Sequence, residues 1–114
     1  MDSILTSVKK LLGITEEYEQ FDVDIVLHIN TILSILSQIG VGPSKGFTIR
    51  DASSTWYDFL GDDCRYELVK TFVYLKVRLL FDPPTSSSVT EAINRQINEL
   101  EWRISIIDPT NVAG

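Results

Sequence analysis

Residues 67–81, read as Glu-Leu-Val-Lys-Thr-Phe-Val-Tyr-Leu-Lys-Val-Arg-Leu-Leu-Phe, form the most apolar stretch of the chain, and any fold must bury most of it. Leu68, Phe72, Leu75 and Leu79 recur at spacings of four, three and four, and Val69, Val73, Val77 and Leu80 make a second stripe beside them. The β-branched residues would suit a strand. The length of the run and charges that return every three or four positions instead predict a helix that is apolar around most of its circumference. Such a helix is expected to be the buried element around which the others pack. Glu67, Lys70, Thr71, Tyr74 and Arg78 share its one narrow polar face. It must stop at Asp82-Pro83-Pro84, because proline lacks an amide donor and disfavours helical geometry in the residue before it.

The chain of 114 residues is the size of one domain, spanning 1–114, and is long enough to bury roughly two thirds of its unfolded surface. No stretch has the length of a membrane span or the plan of a signal peptide, so a soluble, cytoplasmic protein that binds no membrane is expected. One cysteine, Cys64, and one histidine, His28, form neither an internal disulfide nor a zinc site, and both are read as incidental. Sixteen acidic residues against ten basic ones leave a net charge of −6, which argues against reading DNA through its phosphates. The charge is uneven: Glu16, Glu17, Glu19, Asp22 and Asp24 crowd one short segment, while Lys70, Lys76 and Arg78 sit close together in the apolar run.

Taken in order, Asp2 or Ser3 is expected to cap a first helix through Leu12, with Ile4, Leu5, Val8, Leu11 and Leu12 as its stripe and Gly13 as its stop. After an acidic connector over 14–21, Asp22 is the expected N-cap of a second helix to about Ile39, buried through Ile25, Ile29, Ile32, Leu36 and Ile39. Three glycines and a proline over 40–46 predict an irregular loop, the most mobile part of the chain. Val41, Phe47 and Ile49 are too apolar for a free linker, so this loop is either pinned to the core or docks on a partner. Ser54 or Thr55 then caps a short helix over 56–60, anchored by Trp56, Phe59 and Leu60 and ended by Gly61. Asp62 or Asp63 is the expected cap of the apolar helix. A last helix starts at Ser88 or Thr90 and runs to about Ile106, with Val89, Ile93, Ile97, Leu100 and Ile104 as its stripe. Asp108-Pro109 ends it, and residues 110–114 are expected to fray. The predicted fold is all-α: a small bundle of four main helices plus one short helix, with a long Gly/Pro loop.

Nothing in this pattern carries catalytic chemistry. The glycines follow a helix rather than a strand, so they do not make a nucleotide loop. Glu16/Glu17 and Asp62/Asp63 are adjacent pairs in a connector and at a helix start, where nothing desolvates them for acid–base work. His28 would be the sole base, with no nucleophile elbow beside it. No enzyme, cofactor or metal site is therefore expected. Lys70, Tyr74 and Arg78, at i, i+4 and i+8, read either as a solvated face or as an interface for acidic partners.

Residues 69–84, Val-Lys-Thr-Phe-Val-Tyr-Leu-Lys-Val-Arg-Leu-Leu-Phe-Asp-Pro-Pro, followed by a Ser-rich turn, resemble the head-tail connector (adaptor) proteins of tailed bacteriophages. Leu11-Leu12-Gly13-Ile14, Phe21-Asp22-Val23-Asp24, Ile39-Gly40-Val41-Gly42-Pro43, Trp56-Tyr57-Asp58-Phe59-Leu60 and Glu99-Leu100-Glu101-Trp102-Arg103 are similar in order and spacing to the version carried by phages and prophages of Gram-positive bacteria. The resemblance implies a structural virion subunit at the head-tail junction, present in the host cytoplasm before assembly. It also implies a ring of about twelve copies, built by a contact between two different patches that propagates round an axis, for which the acidic patch of Glu16, Glu17, Glu19, Asp22 and Asp24 and a basic ridge of Lys70, Lys76 and Arg78 are available. That ring would sit between the portal and the next head-completion or tail protein and form part of the DNA passage. The rival reading from another class is a small helical regulator that binds nucleic acid.

Overall fold

The computed structural model describes residues 2–109 and contains five helices, with no named strand among the described residues. The expected fraying of 110–114 lies outside the described residues. The chain divides into two compact units, Met1–Gly61 and Asp62–Gly114.

In unit 1, α1 (Ile4–Leu11) packs on α2 (Asp22–Gln38). Ser3 caps α1 by accepting a hydrogen bond from the Thr6 amide at 3.2 Å. Both helices end in the same six-residue motif. Gly13, with φ +82°, lets the Ile14 and Gly13 amides return to the Lys9 and Lys10 carbonyls, at 2.9 and 3.1 Å. Gly40, with φ +89°, lets Val41 and Gly40 do the same with Leu36 and Ser37, at 3.0 and 3.1 Å. The second closure turns Val41 inward as the helix ends, and Val41 and Leu36 are both buried.

The glycine-rich loop is held to unit 1 by further contacts. Asn30, on α2, clamps Ile49 from both sides of its backbone: Oδ1 accepts from the amide at 2.8 Å, and Nδ2 donates to the carbonyl at 3.0 Å. Phe47 packs on Phe59 with ring centroids 5.2 Å apart. Gly42 lies directly against that Phe59 ring. Of the two roles open to this loop, pinning describes Val41 and Ile49, which are buried within the chain. The chain before α1 is clasped as well, since Ser3 bridges Thr55 and the Trp56 amide donates to the Asp2 carbonyl at 3.0 Å.

The short helix α3 (Trp56–Leu60) has the predicted bounds. Thr55 and Asp58 each accept the other's amide, closing a capping box. Trp56, Phe59 and Leu60 are buried, and the Trp56 indole donates to Ser7 Oγ at 2.8 Å.

In unit 2, α4 (Tyr66–Phe81) packs along α5 (Ser87–Ile106). Val69, Phe72, Val73, Leu75 and Val77 are buried, whereas Leu80, in the last turn, is exposed. On α5, Ile93, Ile97, Leu100 and Ile104 are buried and Val89, in the first turn, is exposed.

Two expected caps and one expected helix start need correction. Asp22 is the first residue of α2, not its N-cap; Phe21 holds that position and makes no side-chain cap. Neither Asp62 nor Asp63 caps α4, which follows Arg65. Ser86 caps α5, which starts at Ser87, earlier than the expected Ser88 or Thr90.

Candidate intermolecular surface

Two cations are buried: Lys9, 2% exposed, and Arg65, 3% exposed. Lys9 follows Leu5 by one turn and so falls beside the apolar stripe of α1. Its ammonium donates to the Glu16 carbonyl at 3.1 Å and the Tyr18 carbonyl at 2.7 Å, and it forms an ion pair with Asp22 Oδ1 at 2.8 Å. The acidic connector is thereby tied to α1, and Asp22 is neutralised within its own chain.

Arg65 is held by Asp63, two residues before it. Asp63 Oδ1 accepts from the Arg65 amide at 2.8 Å, Oδ2 receives the guanidinium at 2.8 Å, and another guanidinium nitrogen reaches the Ile104 carbonyl at 3.0 Å. The start of α4 is thus fastened to the end of α5. Burial opposes ionisation of Asp63. The hydrogen bonds from the Arg65 side chain and amide, with the guanidinium charge, outweigh it and hold the carboxyl below the usual carboxylate range. The Asp-x-Arg spacing is the sequence signal for this clamp.

The residues of the acidic patch separate by position. Glu16, Glu17, Glu19 and Asp24 are exposed, and Asp22 is half-buried. Glu16, Glu19 and Asp22 come together on an open groove of about 590 Å³ in unit 1. Leu5, Val26 and Ile49 supply apolar lining, and Asp51, Lys9 and Arg50 also border the groove. Glu17 and Asp24 do not line it. Val23, at its edge, and Leu27, one turn further along α2, are exposed apolar side chains.

On α4, Lys70, Tyr74 and Arg78 are half-buried along one face, with the Lys70 ammonium 5.1 Å from the Tyr66 ring centre. Lys76 does not belong to that ridge. At 3.6 residues per turn it lies about 160° round the helix from Arg78, and its ammonium sits 5.7 Å from the Phe72 ring centre. Among the described residues the Arg78 guanidinium makes no hydrogen bond or ion pair. Of the loop residues considered for docking, Val41 and Ile49 are buried and Phe47 is half-buried. Sequence reasoning missed Trp102 and Ile106, exposed and one turn apart on α5.

Among the described residues no group of three or more His, Cys, Asp or Glu side chains is placed to hold a metal ion, and no helix is long and apolar enough to cross a membrane. Cys64 is exposed and its thiol donates to the Asp108 carbonyl at 3.3 Å; His28 is half-buried on α2.

No curated protein and no solved structure matched the chain. The sequence model of the family described as phage connector protein matches residues 4–111, a span that takes in all five helices. The chain therefore belongs to the phage connector protein family.

Proposed function

We propose that this chain, read as one connector domain over 1–114, is a structural subunit of the phage head-tail connector. In this reading its copies form a ring of about twelve around the DNA passage, between the portal and the next head-completion or tail protein. The family match over nearly the whole chain carries the reading. Two physical features support it. The acid excess suits a passage through which DNA slides without being held by its phosphates. The chain also carries two unlike patches, the acidic one around Glu16, Glu17, Glu19, Asp22 and Asp24 and the α4 face of Lys70, Tyr74 and Arg78, as a heterologous ring contact requires.

The role is mechanical rather than catalytic, and it needs no cofactor. The subunit is a virion component, made in the host cytoplasm before assembly. The test is native mass measurement and negative-stain imaging of the full chain, alone and with the portal, beside DNA titrations at two salt concentrations. Closed rings and weak DNA binding are expected. A chain that stays monomeric with the portal and binds duplex with steep salt dependence would overturn the connector reading in favour of a nucleic-acid-binding regulator.

A further inference from the structure

We propose that Arg78 of one copy seats its guanidinium in the unit 1 groove of the next copy, between Glu16 and Glu19. The inference rests on the ring reading and names the contact that would hold the ring together. Four carboxylates border the groove, Glu16, Glu19, Asp22 and Asp51, against two cations, Lys9 and Arg50. Most of these charges are already engaged. Lys9 is held by Asp22 and two carbonyls. Asp51 accepts from the Ser53 amide at 2.8 Å and from its hydroxyl, and Arg50 lies close enough to act on it. Glu16 and Glu19 are left over: among the described residues neither carboxylate has a hydrogen-bond or ion-pair partner. Their neighbours Leu5, Val26 and Ile49 make the groove apolar below the charged edge.

An occupant must therefore be cationic at its tip and apolar along its stem, and long enough to reach a recess. Arginine has that shape: an aliphatic stem that covers apolar surface and a planar fork that two carboxylates can share. Arg78 meets the complementary condition on unit 2: the residue is half-buried, and among the described residues its guanidinium makes no hydrogen bond or ion pair. Lys70, on the same face, is less suited because its ammonium already lies over the Tyr66 ring. The donor and the groove are different patches of one subunit, so the contact is heterologous and passes from copy to copy.

The test uses the full chain and reads assembly by analytical ultracentrifugation and native mass spectrometry, alone and with the portal. Arg78→Glu, and separately Glu16→Arg with Glu19→Arg, are each expected to raise the subunit concentration for half-assembly by about tenfold or more, since reversal adds repulsion to a lost attraction. The triple variant is expected to regain assembly, a rescue that misfolding cannot imitate. Arg78→Lys should recover only part, because an ammonium does not bridge two carboxylates as a fork does. Either reversal assembling like the parent, or a triple variant as weak as its parts, overturns the pairing while leaving the ring reading intact. A parent chain that never forms rings overturns the ring reading and the pairing with it.

Discussion

Lys9 Nζ lies 2.8 Å from Asp22 Oδ1, a buried ammonium on α1 against the first residue of α2, and the same nitrogen takes the carbonyls of the connector between them. Removing the cation strands a carboxylate and two carbonyls. Lys9→Met should cost about 2–4 kcal/mol, below the range for a wholly dry pair because Asp22 keeps 27% side-chain exposure. Lys10→Met, at the exposed neighbour, should stay within about 0.5 kcal/mol of the parent. Urea denaturation midpoints of the two variants check the contrast; equal midpoints would mean that Lys9 contributes nothing as an anchor.

Gly42 and Gly46 both have positive φ, +85° and +88°, but they differ in their surroundings. A Cβ at Gly46 meets open space, so Gly46→Ala should cost only the backbone term, about 1–2 kcal/mol. A Cβ at Gly42 would overlap the Phe59 ring, itself packed on Phe47, so Gly42→Ala should cost at least about 1 kcal/mol more. Thermal unfolding of the pair separates conformational strain from steric overlap.

Phe72 is fully buried on α4 and Leu75 is 8% exposed. Phe72→Ala is expected to cost about 3–5 kcal/mol and Leu75→Ala about 2–3 kcal/mol, against a total stability of about 5–15 kcal/mol. Guanidinium denaturation reads both. Midpoints indistinguishable from the parent would show that this face of α4 is not core.

The Asp63–Arg65 clamp gives stability a defined acid limb. Because the folded carboxyl titrates below its unfolded value of about 3.9, its contribution is complete above that pH and is lost as pH falls through the folded value. Asp63→Asn should therefore be less stable than the parent by about 1–3 kcal/mol at pH 7, with the gap narrowing below about pH 4. Denaturation series at pH 7, 4 and 2.5 follow it; a gap that stays constant would exclude a role for the charged form.

The sequence by itself determined the helices, because each buried face repeats at helical spacing and each end carries a residue whose backbone preference stops the helix. Gly13, Gly40 and Gly61 stop α1, α2 and α3 as their positions predict, and the Thr55-x-x-Asp58 spacing places the start of α3. The connector family was legible for the same reason, since its signals are ordered packing and turn residues along most of the chain. The roles of the polar side chains were decided only in three dimensions. Asp22 and Asp63 lie beside helix starts without holding the cap position, and each is paired with a cation, Lys9 and Arg65. Lys9 is buried because the Glu16 and Tyr18 carbonyls and Asp22 converge on it, and Arg65 because the Ile104 carbonyl of α5 completes the clamp that Asp63 begins; no local period records either convergence. Glu16 and Glu19 differ from Glu17 because the connector's path turns two of the three toward the groove. Charge patterning shows how many ions a segment carries; the tertiary path decides which of them are already matched and which are left for another molecule.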